Sequence, residues 1–282
     1  MAAGRAAPCT LVCVGRSAGD LMIAFDPSRA AAAAGAAFIA GAINSVAGGG
    51  TLVSFPTLIW LGLPSVTANA TNTVATWPGS VGGAWGFRRE LRADEPRMLV
   101  LVVPSLIGGV AGALLLRFTP PAIFDTLAPF LVLFATLLFM AQKPIQRRLK
   151  NSGGRARASG RWLAGATLFQ LAVALYGGYF GAGIGILILA ALGILGYQDI
   201  LQMNGLKNFL VVCINGVAAF YFIWARMVYW PYAILMAVAA IAGGYSGSGL
   251  ARRAGSQAVR RVVIGIGFAM TLSLAIKLLR VP

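Results

Sequence analysis

The chain reads as an all-α, polytopic integral membrane protein of about ten hydrophobic segments, arranged as two inverted repeats of five. Three observations carry that reading. Of the 282 residues, 59% are hydrophobic and 11% charged, with a mean hydropathy of +0.81, which lies outside the range of soluble domains. Charges are also segregated: none occurs from Ala30 to Phe87, Met98 to Leu116, Trp162 to Gln198 or Met227 to Ala251. About 20 apolar residues cross about 30 Å of hydrocarbon, so several of these runs cross and at least one crosses more than once. Finally, two glycine-bearing stretches inside apolar runs resemble each other at a shift of 135 residues. The short alternating segments of a β-barrel are absent.

The segments fall at about 30–47, 51–62, 67–87, 97–117 and 121–141, then 162–182, 184–196, 203–225, 229–250 and 259–279. Residues 1–29 carry Arg5, Arg16, Asp20, Asp26 and Arg29 around a short apolar stretch; they make no convincing cleavable signal and read as a poorly ordered leader. The first membrane repeat is 30–141 and the second 162–282. Between them lies a basic cytoplasmic linker, 142–161, with seven positive charges and Ser152-Gly153-Gly154. Pro96 and Pro231 stand just before the fourth segment of each half, where proline suits the first helical turn.

Net charge is +16, but its distribution argues against nucleic acid. Basic residues cluster in short connections: Arg88, Arg89, Arg92 and Arg97; the linker; and Arg252, Arg253, Arg260 and Arg261. That is the positive-inside pattern of cytoplasmic loops, and it assigns the chain to the plasma or inner membrane as a multi-pass protein. The pieces 51–62 and 184–196 are too short to cross upright. If both nevertheless change sides, all three basic connections face inward and the halves are inverted. If they do not, the halves run parallel and four arginines face outward, against the charge rule. Cys9, Cys13 and Cys213 with no histidine leave no Cys/His metal site, and no cofactor is expected.

Identical pairs at the 135 shift include Gly48/Gly183, Gly50/Gly185, Asn69/Asn204, Pro96/Pro231, Gly108/Gly243, Gly109/Gly244 and Arg117/Arg252. Matched interruptions in two halves point to a binding site at their interface near the bilayer midplane. The glycines of Asn44-Ser45-Val46-Ala47-Gly48-Gly49-Gly50-Thr51 and of Gly181-Ala182-Gly183-Ile184-Gly185 either break a helix or permit close packing. A break frees backbone groups that survive only when buried in protein or lining a wet cavity, and the next helix start then suits an anion. For Gly108-Gly109 with Gly112, and Gly243-Gly244 with Gly247, close packing is the better reading.

Two further polar stretches match across the halves: Asn69-Ala70-Thr71-Asn72 and Asn204-Gly205-Leu206-Lys207-Asn208. Their amides and hydroxyls suit helix capping, yet Asn72 lies roughly 10 Å beyond Ser65 into the span, deep enough to imply a cavity or a partner helix. Lys207 is the only charge between Asp199 and Arg226. It either snorkels to the interface or supplies the fixed positive charge of an anion site. Asp125 and Asp199 sit at helix starts, where a carboxylate is favourable. Catalytic acid–base pairs, nucleophile dyads and phosphate loops are lacking, so an enzyme is not expected.

At Gly48-Gly49-Gly50 followed by Pro56, at Ala70-Thr71-Asn72, and at the glycine-rich second copy, the chain resembles the sulfite exporter TauE/SafE family. The resemblance covers about 30–280. It implies a permease for small sulfur-containing anions such as sulfite or a sulfonate. The second copy departs from the triple glycine through Ile184 and carries Leu206-Lys207, so the two halves are not equivalent. The substrate-binding set is then Asn44, Ser45, Gly48, Gly49, Gly50, Thr51, Asn69, Thr71, Asn72, Gly183, Gly185, Asn204, Lys207 and Asn208. Its partners are a small anionic substrate and the lipid bilayer, with no nucleic acid and a homo-oligomer left open. An anion channel and a non-transporting membrane scaffold are the alternatives.

Overall fold

The computed structural model describes residues 26–46, 48–91, 95–151, 160–195, 197, 199–251 and 257–280. Within them are eleven helices and no strand. They are α1 (Pro27–Val46), α2 (Thr51–Trp60), α3 (Ser65–Gly86), the single turn α4 (Arg88–Leu91), α5 (Glu95–Phe118), α6 (Pro121–Asn151), α7 (Gly160–Tyr179), α8 (Ile184–Ile194), α9 (Ile200–Trp224), α10 (Trp230–Ala251) and α11 (Gln257–Arg280). The expected leader at 1–25 and the middle of the expected linker at 152–159 lie outside the described residues. α6 continues to Asn151, so the basic stretch is helical that far, ten residues beyond the apolar segment's expected end at 141.

Helix starts follow local chemistry. Before α1, Asp26 accepts from the Ser28 amide and hydroxyl, while Pro27 fills the first helical position. Those bonds hold the Asp26 carboxyl below its ordinary range. Asp199 caps α9 by accepting from Leu201 N–H at 2.9 Å. Pro96 and Pro231 are the second residues of α5 and α10, as expected of helix starts. Asp125, in the first turn after Pro121, accepts the Ser65 hydroxyl and so ties the start of α6 to the start of α3.

Glycines set the helix packing. A Cβ on Gly108 would meet Leu171 and Ala174 of α7, one on Gly112 would meet Leu175 and Gly178, and one on Gly109 would meet Ile214 of α9. In the other half, Gly243 lies on Phe38 and Gly247 on Ala42 of α1, while Gly244 lies on Gly79 of α3. Thus α5 is wedged between α7 and α9, and α10 between α1 and α3, each through one glycine stripe. The numbering of these contacts rises together between α1 and α10, α3 and α10, and α5 and α7, so α1, α3 and α10 run in one direction and α5 and α7 share a direction. Between α3 and α9 the order reverses, with Gly83 beside Asn208 and Trp77 donating to Val212 C=O at 3.0 Å. α3 and α9 therefore run oppositely.

The packing also corrects the register of the resemblance between the halves. Phe38 takes the place of Leu171, Thr51 that of Ile184, and Gly48 that of Gly181, so the first two segments match at a shift of 133. From Ser65 and Ile200 onward the shift is 135. The stretch from the start of α8 to the start of α9 is simply longer by two residues than its counterpart in the first half. Gly48/Gly183 and Gly50/Gly185 are therefore sequence coincidences, and the spatial counterparts are Gly48/Gly181 and Gly50/Gly183.

Val100–Phe118, Pro121–Ala141 and Leu201–Trp224 are long and apolar enough to cross a membrane by length and composition. α3 has the length but carries Asn69, Thr71, Asn72, Thr73, Thr76 and Ser80, all buried inside the bundle. Its polarity is internal. Outward, α5, α6, α7, α10 and α11 expose large apolar side chains, and Trp60, Phe118, Trp224 and Trp230 are exposed at helix ends, as lipid-facing and interfacial residues should be. Gly244→Val should lower stability by about 1–3 kcal/mol because its side chain runs into the Gly79 backbone. Gly165→Ala, with open space around it, should hold or raise stability; thermal unfolding in detergent distinguishes them.

Candidate functional site

Two breaks organise the interior. α1 ends at Val46 and α2 starts at Thr51; Gly48 between them has φ +81°. A left-handed residue without Cβ lets the chain turn back sharply. Gly48 N–H returns to Ile43 C=O at 3.0 Å, and the Asn44 side-chain oxygen accepts from Gly50 N–H at 2.7 Å. Gly50 lies against the Ala40 backbone and Gly49 against the Phe139 ring of α6, so each glycine is there for close approach. Asn44 thus belongs to the break itself, holding the start of α2 to the end of α1.

The carbonyls left at the end of α1 are met by Lys207. Its Nζ donates to Asn44 C=O at 2.9 Å, Ser45 C=O at 2.9 Å and Asn204 Oδ1 at 3.2 Å. An ammonium has three hydrogens, and all three are used. Asn208 Nδ2 adds a bond to Ser45 C=O at 3.2 Å. Lys207 is fully buried, and its charge sits at the negative end of the α1 dipole. It does not snorkel to the interface; it caps the break from α9.

The second break separates α7, ending at Tyr179, from α8, starting at Ile184. Gly181 and Gly183 both have φ +76°. Tyr176 hydroxyl donates to Ala182 C=O at 2.7 Å, and Asn69 Nδ2 donates to Tyr179 C=O at 2.8 Å. Phe180 packs edge-on against Phe55 of α2, with ring centroids 5.2 Å apart. No charge caps this end among the described residues.

The breaks meet. A Cβ on Gly48 would lie 2.5 Å from Gly185 Cα, and one on Gly185 would lie 3.1 Å from the Lys207 stem. Of the expected site residues, Asn44, Ser45, Gly48, Gly49, Gly50, Thr51, Gly183, Gly185, Asn204, Lys207 and Asn208 belong to this junction or its immediate walls. Asn69 reaches it through Tyr179. Asn72 is buried at 1% exposure one turn further along α3, its Oδ1 without a protein partner. Thr71 serves another purpose: its hydroxyl accepts from Tyr229 N–H at 2.9 Å and steadies the approach to α10. Sequence reasoning passed over Tyr176 and Asn215. Asn215 is a buried amide inside the apolar run of α9, the same signal that singled out Asn72, and its Oδ1 is also unpartnered.

An α-helical membrane bundle with paired broken helices meeting at a polar junction has the architecture of a membrane transporter. Comparison with known proteins agrees. The family model described as sulfite exporter TauE/SafE matches residues 33–274, and the chain belongs to that family. It is 28% identical over 247 residues to a probable membrane transporter protein, ORF9, of Sinorhizobium sp, covering 88% of this chain and 91% of that one. It is 26% identical over 236 residues to a probable membrane transporter protein of Haemophilus influenzae, covering 83% and 89%. A third relative, the probable membrane transporter protein YfcA of Escherichia coli K12, is 25% identical over 238 residues, covering 84% and 86%. No solved structure matches.

Gly48→Ala combines a left-handed backbone with a collision at Gly185, whereas Gly62→Ala has φ +97° but open space. Both should lose about 1–2 kcal/mol to backbone strain, and Gly48→Ala should lose about 1–3 kcal/mol more from overpacking. Comparing their thermal unfolding in detergent isolates the cost of holding the breaks apart.

Proposed function

We propose that the protein is a permease that carries a small sulfur-containing oxyanion, sulfite or an organosulfonate, across the plasma or inner membrane by alternating access. The observation that carries this reading is the junction of Gly48 with Gly185 beside the buried Lys207. α2 and α8 start there, and a helix start turns the positive end of its dipole towards an anion. The Lys207 ammonium is already fully bonded, so its contribution is electrostatic: it stabilises an anion through its charge. Side-chain amides at Asn69, Asn72, Asn204 and Asn208 supply neutral Nδ2 donors from α3 and α9.

Two inverted units of five segments fit the packing. The first unit is α1, α2, α3, α5 and α6; the second is α7 to α11. α1 and α7 hold corresponding places, α3 and α9 run oppositely, and the glycine stripes of α5 and α10 engage the opposite unit in the same way. With that direction of travel, the C-terminal ends of α3, α6 and α10 fall on one side, which the positive-inside rule makes the cytoplasm. The family name and the relatives' description as membrane transporters support the transport reading, and the family name supports the choice of sulfite. Rocking of one unit against the other about the α3–α9 contact would expose the junction alternately to each side.

The test is flux of sulfite and simple sulfonates in liposomes holding the purified protein. Saturable uptake with counter-flow is expected, and linear, non-saturating flux would favour a channel. Lys207→Glu should abolish flux while leaving membrane insertion intact, since it reverses the charge beside the anion; unchanged flux removes Lys207 from the mechanism.

A further inference from the structure

We propose that the second break holds a monovalent metal cation of sodium's type, in the place that corresponds to the Lys207 ammonium at the first break. The inference starts from the mismatch between the halves. Lys207 occupies the position of Asn72, and Asn204 that of Asn69. In the first half's break, Lys207 Nζ is bound by the carbonyls of Asn44 and Ser45 and by Asn204 Oδ1. With the shift of 133 that governs the first helices, the counterparts of those carbonyls are Gly177 and Gly178; the counterpart of Asn204 Oδ1 is Asn69 Oδ1.

Asn69 Oδ1 is buried and has no protein partner. Its identity as oxygen is fixed, because Nδ2 of the same amide donates to Tyr179 C=O, which only accepts. Asn72 Oδ1, where the lysine would stand, is likewise buried and unpartnered. Asn215 Oδ1, a third such oxygen, flanks Gly181 together with Gly177 C=O: a Cβ there would lie 3.9 Å and 3.1 Å from them. Asn72 is two bonds shorter than lysine, so its own side chain stops short of the point an ammonium would reach. The end of α7 therefore gathers acceptors, at the negative pole of a helix, without the positive charge that the end of α1 carries.

The ligand class follows from the donors. Amide and backbone oxygens suit a hard cation. Among the described residues no His, Cys, Asp or Glu cluster accompanies them, so a divalent ion or a thiolate-seeking metal lacks its usual ligands. A cation at the end of a discontinuous helix is also where carriers of this architecture place a coupling ion. The site goes beyond the anion reading, depends on the broken helices alone, and is indifferent to which anion is carried.

The experiment uses the full chain purified in detergent, unfolded thermally in NaCl or in choline chloride at equal ionic strength. Sodium is expected to raise the unfolding temperature saturably, by about 5 °C at high occupancy. Asn72→Lys, which brings a tethered ammonium to the same point, should unfold at the same temperature in both salts. Equal unfolding temperatures of the wild-type chain in the two salts would overturn the proposal, as would an Asn72→Lys chain that keeps the full sodium response. The wild-type comparison decides alone if that variant fails to insert. Sulfite flux that persists in choline with no sodium effect on stability would sink the cation site while leaving the anion reading standing.

Discussion

A helix broken inside hydrocarbon leaves carbonyls and amides that lipid cannot bond, and that demand dictates where this chain places its polar residues. At the first break the α1 carbonyls are answered by Lys207 and Asn208, and the Gly50 amide by the Asn44 side chain. The α7 end is answered by Asn69 and Tyr176. Each answer comes largely across the halves, from α9 to α1 and from α3 to α7. Satisfying the breaks therefore also ties the two halves together around the junction. Glycine makes the meeting feasible, since any side chain at Gly48 or Gly185 would occupy the other's backbone.

The same demand makes the halves unequal. One break ends on a full positive charge, whereas the other ends on neutral amides with oxygens to spare. Lys207 on α9 stands 135 residues after Asn72 on α3, and the two breaks differ in electrostatics accordingly. The first break is held by Lys207 through three hydrogen bonds, and the second by the neutral groups of Asn69 and Tyr176. Outside the junction the structure is conventional membrane packing, with glycine stripes bringing α5 and α10 close to their neighbours and bulky apolar residues turned to lipid.

Much of this was legible in the chain. Segment positions came from charge-free runs, helix starts from Pro96, Pro231, Asp125 and Asp199, and the packing role of Gly108, Gly109, Gly243 and Gly244 from their place in uninterrupted helices. The breaks were legible only as one of two readings, since glycines clustered inside an apolar run suit either a broken helix or close packing, and the structure uses them for both. Two things were hidden. The register of the first two segments differs from the rest by two residues, and alanine- and leucine-rich runs align equally well either way. What Lys207 touches was hidden too, since a buried lysine and a snorkelling one have the same sequence signature. Thr71 looked like part of the site because it adjoins Asn72, yet neighbours on a helix point about 100° apart, and it faces Tyr229 instead.

The central claim is that the meeting point of the two breaks is the wet, substrate-holding centre of the protein. Thr51, at the first turn of α2, is the position to interrogate. In a chain whose native cysteines are replaced, Thr51→Cys in sealed vesicles should react with a water-soluble thiol reagent, and sulfite should protect it. A thiol inert from both faces of the membrane, with sulfite making no difference, would mean that the junction is dry packing and that the substrate passes elsewhere.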